Sequence, residues 1–319
     1  MKLACIAHNG DSRVAVVQED VIRVLAPETT MMSMLTASEA ERARAVDRST
    51  EELALDEVEL TAPLYPTSMR DFSVFEAHIE GAVKSGGDAE AQVPELWYET
   101  PFCYFSNPHA ITGPGDAIQP PADTRALDLE LEVAVVIGAR GRDLTPTQAS
   151  SFIAGYTIWN DWSARDIGGR EIQMVFGQCK SKDFANTLGP WIVTPEEMET
   201  YREDDRLALD MHATINGVSL GEDTLANMAW SFEELVSFAS RSAWIAPGDV
   251  IGSGTCGNGC LMELWGRRGR QDPPPLVTGD VVSLEVDGIG TLTNTVAEPL
   301  PALAPLPRAR PRRSARIAS

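Results

Sequence analysis

The run LDLELEVAVVIG, residues 127–138, constrains the chain more than any other stretch. Asp128, Glu130 and Glu132 alternate with Leu127, Leu129, Leu131 and Val133, and the run then turns wholly apolar. A period of two marks a β-strand, so the three acids are expected on one strand face. Like charges on one face repel, and no basic residue lies in the stretch to offset them. Either that face is wet or something cationic sits on it.

The 319 residues allow one large domain or two smaller ones, and 43% hydrophobic content supplies a core. A formal net charge of −21 argues against partners that need a positive field, namely nucleic acid and anionic membranes. It is compatible with divalent metals, and with anionic small molecules where cations are focused locally. The opening MKLACIAHNG holds one Lys and an apolar run too short for a secretory signal. No run approaches the ~18 apolar residues of a membrane span. The five cysteines are read as reduced thiols of a cytoplasmic protein. Cys256 and Cys260 frame a Gly-rich turn, but no second pair completes a zinc site. GSGTCGNGC lacks the Lys-Ser/Thr ending of a phosphate loop.

Residues 1–65 read as a small β-rich domain, with RVAVV and VIRVLA as short strands and 36–57 as a helix or connector. ELTAPLYPTS marks its boundary. Beyond it, Ser68 as a cap and the spacing of Phe72, Phe75, Ile79 and Val83 predict a helix over 69–84. Thr145 with Gln148, and Ser231 with Glu234, are capping boxes. Strands are expected at 127–138, 154–159, 190–194, 207–215, 250–252, 281–286 and 290–296. Without βαβ alternation this is a β-rich α+β fold. Residues 299–319, Pro-rich and then Arg-rich, read as a disordered tail.

Carboxylates two residues apart on a strand are about 6.6 Å apart at Cα, and Glu-length side chains can converge on one hard dication. Asp161, after GYTIWN, and Asp71, in the first turn of the expected helix, are two further acids. Alone, Asp71 reads equally as a helix-dipole acid and Asp161 as a loop cap.

Taken together, RDFSVFEAH, LDLELE, NDWSARD, KSKDFANTLGPW, SGT and CLMELWG, in this order, resemble the fumarylacetoacetate hydrolase family over residues 66–298. The resemblance implies a mixed β-sandwich roll, a homodimer, and bound Mg2+, Mn2+ or Ca2+. It implies Asp71, Glu130, Glu132 and Asp161 as metal ligands and leaves Asp128 as a wet or structural acid.

It further implies hydrolysis of a C–C bond in a 2,4-diketo acid of fumarylacetoacetate or acylpyruvate type. His78, two helical turns from Asp71 on the expected helix, would be the general base. Glu263 would orient its imidazole. Arg165 and Lys180 would hold anionic charge, with Lys182 as the rival to Lys180. Tyr104, Thr255 and Ser73 stand at substrate-side positions. Ser73 replaces a Tyr of fumarylacetoacetate hydrolase itself, and Gly168 replaces a Gln for which Gln173 and Gln178 are the nearby candidates to compensate. The alternative is dehydration, decarboxylation or isomerisation of a 2-oxo acid from sugar or aromatic catabolism.

Overall fold

Leu131–Ile137 forms a strand with every residue buried. Its side chains alternate between two cores. Val133, Val135 and Ile137 enter one cluster, and Ala134 and Val136 enter a second on the opposite face. A strand covered on both faces needs an unbroken apolar run, which explains why the alternation ends at Glu132. In the computed structural model, which describes residues 1–49, 51–174 and 177–310, this strand lies near the middle of a twelve-stranded mixed sheet.

Ile153–Asp161 pairs antiparallel on one side of it and Val250–Gly252 on the other. Met69–Phe72 follows, parallel to Val250–Gly252, and Cys103–Ser106 forms the edge. On the far side Asn186–Val193 leads to Lys2–His8, Asp11–Gln18, Val21–Val24 and Glu51–Ala54. A second, five-stranded sheet runs Val218–Thr224, Asp210–Ile215, Val281–Val286, Gly290–Val296, Ala117–Ile118. Met211, Ala213, Leu284 and Leu292 of that sheet share a core with Val133, Val135 and Ile158 of the first. The two sheets therefore pack face to face in a strand-rich, mixed α/β architecture.

The segment 1–65 has no sheet of its own, since Lys2 and Leu3 pair with Val193 and Ile192 of the central sheet. Its helices, Met31–Leu35 and Glu39–Asp47, bury Met31, Met34, Leu35 and Val46 on the second core. Both capping boxes form, at Thr145/Gln148 and Ser231/Glu234.

The expected strand over 207–215 is split into Arg206–Leu207 and Asp210–Ile215, and two elements that carry site residues also differ from expectation. The helix over 69–84 is the strand Met69–Phe72 followed by a helix, Glu76–Ser85. Phe75 is its N-cap, with no side-chain cap bond, and Ser68 lies outside it. Parallel pairing with Val250–Gly252 decides the matter over the local helical spacing. Asp71 thus sits on a strand, and the two-turn separation from His78 does not exist. The strand over 127–138 is interrupted: Leu127–Asp128 pairs with Ser163–Ala164, and the ladder with Ile153–Asp161 resumes at Leu131. After Val296, residues 297–310 carry no regular element, with Leu303 and Leu306 exposed. The rest of the expected tail, 311–319, lies outside the described residues.

Candidate active site

Four carboxylates from four neighbouring chain segments meet at one end of the central sheet. Glu132 stands on Leu131–Ile137, Glu130 on the preceding link, Asp161 at the end of Ile153–Asp161, and Asp71 on Met69–Phe72. One oxygen from each lies within 4.8 Å of the others, the spread of oxygens around a single hard dication. Close approach depends on Gly252, opposite Asp71 in register, where a Cβ would come within 2.6 Å of Asp71 Oδ1.

All four acids are buried. Burial, and then the charge of Asp161, push the Asp71 carboxyl up to about 7. Burial pushes Asp161 up to about 6 against the pull of Lys182. Burial and the charges of Asp71 and Asp161 drive Glu132 well above the usual range. Burial acts on Glu130 too, but Arg165 and Lys182 outweigh it and hold this carboxyl low.

Asp71 Oδ1, Asp161 Oδ1 and both Glu132 oxygens are buried with no hydrogen-bond partner among the described residues. Unpaired buried carboxylate oxygens are costly, and a divalent cation satisfies several at once. The all-oxygen donor set suits Mg2+, Mn2+ or Ca2+ better than a soft ion.

Lys182 is almost fully buried, with Nζ 2.5 Å from Asp161 Oδ2 and also bonded to Glu130. Lys180 is instead exposed and pairs with Asp183, so the structure puts Lys182 where Lys180 was expected. The Glu171 carboxylate fixes this loop by accepting from the backbone amides of Cys179, Lys180 and Ser181, at 2.8, 2.7 and 3.2 Å. Both lysines lie in a polar run without periodic apolar spacing, so only this anchoring distinguishes them.

Arg165 bridges two acids, 2.6 Å from Glu130 and 2.8 Å from Asp128. Asp128 is not wet. It is fully buried, and it accepts from the first amides of the helix Leu261–Arg268, Leu261 N at 2.8 Å and Met262 N at 3.0 Å. The acid therefore anchors that helix N-terminus, where the macrodipole favours negative charge.

Glu263 lies on that helix and is wholly buried. Its Oε1 is 2.9 Å from Nδ1 of His78, in the first turn of Glu76–Ser85. Gly81 and Gly266 let the two helices touch: a Cβ on Gly81 would come within 2.8 Å of Glu263 Cα, and one on Gly266 within 2.3 Å of the Gly81 carbonyl. Glu263 Oε2 accepts from Asn258 N at 2.7 Å and from Arg267 at 3.1 Å, which aims Oε1 at the imidazole. Cys260, seen in the sequence only as one end of a Gly-rich turn, places Sγ 3.6 Å from Glu263 Oε1 and 3.8 Å from His78 Nδ1. Burial pushes its thiol well above the usual range.

A cavity of about 760 Å³ opens over this assembly. Asp71, Glu130, His78, Arg165, Lys182 and Thr255 line it, together with Ser73 and Tyr104. The Tyr104 hydroxyl bonds to Asp161. Gln178 also lines the cavity, near Gly168, whereas Gln173 bonds to the Gly169 carbonyl. Histidine Nε2, on the side of the ring away from Glu263, has no protein partner among the described residues.

A family model described as fumarylacetoacetate (FAA) hydrolase C-terminal matches residues 70–297. The chain belongs to this family. It is 31% identical over 245 residues to oxaloacetate tautomerase YisK of Bacillus subtilis, spanning 76% of this chain and 74% of that protein. Fumarylacetoacetate hydrolase from psychrophilic Exiguobacterium antarcticum superposes over 93% of this chain and 99% of its own, with a TM-score of 0.71 and 26% identity. The 5-carboxymethyl-2-hydroxymuconate delta-isomerase of Mycobacterium smegmatis superposes over 93% of this chain and all of its own, with a TM-score of 0.67 and 28% identity. The family is one of enzymes, and its members named here include a tautomerase, a hydrolase and an isomerase. Among the described residues no helix is long and apolar enough to cross a membrane.

Proposed function

We propose that the protein is a divalent-metal-dependent hydrolase that cleaves a C–C bond in a 2,4-diketo acid of acylpyruvate or fumarylacetoacetate type. The observation that carries this reading is a buried His–Glu pair whose His78 lines the same cavity as Asp71 and Glu130 of the four-acid cluster. A tautomerase stabilises an enolate and moves a proton between carbon and oxygen; a hydrolase must in addition make water nucleophilic, the task for which a buried, carboxylate-held imidazole is suited.

Asp71, Glu130, Glu132 and Asp161 are the residues that would hold the ion, with Mg2+ the expected occupant and Mn2+ or Ca2+ acceptable to the same oxygens. Once bound there, it would polarise the oxo groups of the substrate and stabilise enolate charge. His78 donates Nδ1–H to Glu263, which leaves the Nε2 lone pair facing the cavity. At Nε2 the imidazole takes a proton from water as its oxygen adds to the distal carbonyl. Glu263, held by Asn258 and Arg267, stabilises the imidazolium that results. The C–C bond then breaks, and the imidazolium returns its proton to the leaving carbon. Lys182 and Arg165 hold the substrate's anionic end, and Tyr104 and Thr255 offer hydroxyls to its oxygens.

The second reading is tautomerisation or decarboxylation of a 2-oxo acid, favoured by the 31% identity to an oxaloacetate tautomerase. Single-turnover product analysis with acylpyruvate and Mg2+ separates the two. Two acid fragments support hydrolysis; an isomer or carbon dioxide alone refutes it. The reading includes a homodimer formed along the Cys103–Ser106 edge, where Phe105 is 70% exposed. Sedimentation equilibrium tests that part.

A further inference from the structure

We propose that His78, Cys260 and Glu263 form a second metal site, selective for Zn2+-like ions, that shares no residue with the acid cluster. The three donor atoms are already mutually close: Nδ1 to Oε1 is 2.9 Å, Sγ to Oε1 is 3.6 Å and Sγ to Nδ1 is 3.8 Å. Zinc bonds of about 2.3 Å to sulfur and 2.0–2.1 Å to nitrogen or oxygen give tetrahedral edges of roughly 3.3–3.6 Å. Every edge in the protein is within about 0.4 Å of those values, so small side-chain rotations suffice.

The donor set discriminates between ions. A thiolate, an imidazole and one carboxylate suit zinc, whereas a hard dication has the four-carboxylate site available beside them. The scaffold that holds the donors is rigid. Cys260 is the N-cap of the helix Leu261–Arg268 and Glu263 its third residue, so their spacing is set by the helix start. Asp128 bonds the first amides of that helix, and Asn258 and Arg267 occupy the other oxygen of Glu263. All three donor residues are buried and, of the three, His78 lines the cavity; the fourth ligand would be a water admitted past its ring.

On binding, the ion displaces the Cys260 S–H proton to solvent and takes the Nδ1 lone pair of neutral His78. The remaining ring proton then sits on Nε2. A histidine so held cannot accept a proton on its cavity side. If the hydrolase reading holds, zinc therefore switches off the base without disturbing the acid cluster; the binding itself does not depend on that reading.

The test is spectroscopic and needs no substrate. The full chain in excess Mg2+, which fills the all-oxygen site, is titrated with Co2+ as the zinc surrogate. A thiolate-to-cobalt charge-transfer band with intense visible bands of a four-coordinate ion is expected, bleached by one equivalent of Zn2+. Cys260→Ser should abolish the charge-transfer band and weaken Zn2+ binding by about tenfold or more, since even residues behind a ligand cost ~10–100-fold. A Cys103→Ser/Cys179→Ser variant, lacking the two cysteines that are not buried, should keep the band. Retention of the Mg2+-induced melting shift certifies that Cys260→Ser is folded. If that variant does not fold, X-ray absorption of the zinc-loaded wild type decides, with one sulfur and two or three lighter ligands expected. Absence of a thiolate band in the wild type, its survival in folded Cys260→Ser, or a zinc shell without sulfur would each overturn the proposal.

Discussion

Replacing Asp71 by Asn should stabilise the metal-free protein while weakening its response to metal. Asp71, Asp128, Glu130, Glu132 and Asp161 are buried together, and among the described residues Lys182 and Arg165 are the cations that pair with them. A rise of the Asp71 carboxyl from 3.8 to about 7 corresponds to roughly 4 kcal/mol of lost hydration and repulsion, at 1.36 kcal/mol per unit. The folded chain holds this proton more tightly than the unfolded chain. The associated stability is complete below about pH 4 and is lost as pH rises through about 7. Asn removes the charge and keeps the shape, so at pH 7.5 in EDTA it should recover about 2–4 kcal/mol. At ~2–4 °C per kcal/mol for chains approaching this size, the gain in Tm is about 4–16 °C. At pH 5 the advantage should shrink by more than half. Saturating Mg2+ or Mn2+, worth about 2.7 kcal/mol at 100 times Kd, should stabilise the wild type and have much less effect on Asp71→Asn. Differential scanning calorimetry at both pH values, with and without metal, measures every quantity. An Asp71→Asn variant that melts at or below the wild-type temperature in EDTA at pH 7.5, or a gap that does not narrow at pH 5, would refute the crowding argument.

His78→Ala should lower single-turnover hydrolysis by about 10²–10⁴-fold with Mg2+ occupancy unchanged, and the double variant with Glu263→Gln should be little worse, because the pair acts as one unit. Unaltered cleavage by His78→Ala would leave water activation without a residue. Lys182→Met should abolish turnover, while Lys180→Met should leave it within about twofold, since an exposed ion pair contributes little; equal losses in kcat/KM would count against the assignment. Gly81→Val should push the two helices apart and separate His78 from Glu263, read as lost hydrolysis with a preserved Mg2+ melting shift. Loss of both together would mean that the helix crossing also supports the metal cluster.

The acid cluster was legible in the sequence through the ordered motifs of the family resemblance; strand alternation alone offered Asp128, Glu130 and Glu132 alike. LDLELE announced Glu130 and Glu132, although the break at Leu129 that turns Asp128 toward a helix N-terminus leaves no local mark. Asp71 was identified within the acid set but placed on the wrong element. Phe72 and Phe75 satisfy helical spacing, and the pairing that makes Met69–Phe72 a strand comes from Val250–Gly252, about 180 residues away. The sequence could not separate Lys180 from Lys182, because the discriminating contact is Glu171 holding the loop backbone. Cys260 was invisible as a neighbour of His78, 182 positions distant, for the same reason.

The helix contact at Gly81 and Gly266 divides the labour of the site. The four clustered acids ride on or beside a sheet buried on both faces, where any change is punished by the core. The His–Glu pair hangs on two helices that meet beside that sheet through a patch of bare backbone. A few substitutions at this contact could remove or reposition the base while the sheet and its acids stay as they are. If the chain breaks carbon–carbon bonds as proposed, this single joint is where its chemistry can be edited apart from its acid cluster, and protein engineers seeking new reactions from this chain should begin their libraries there.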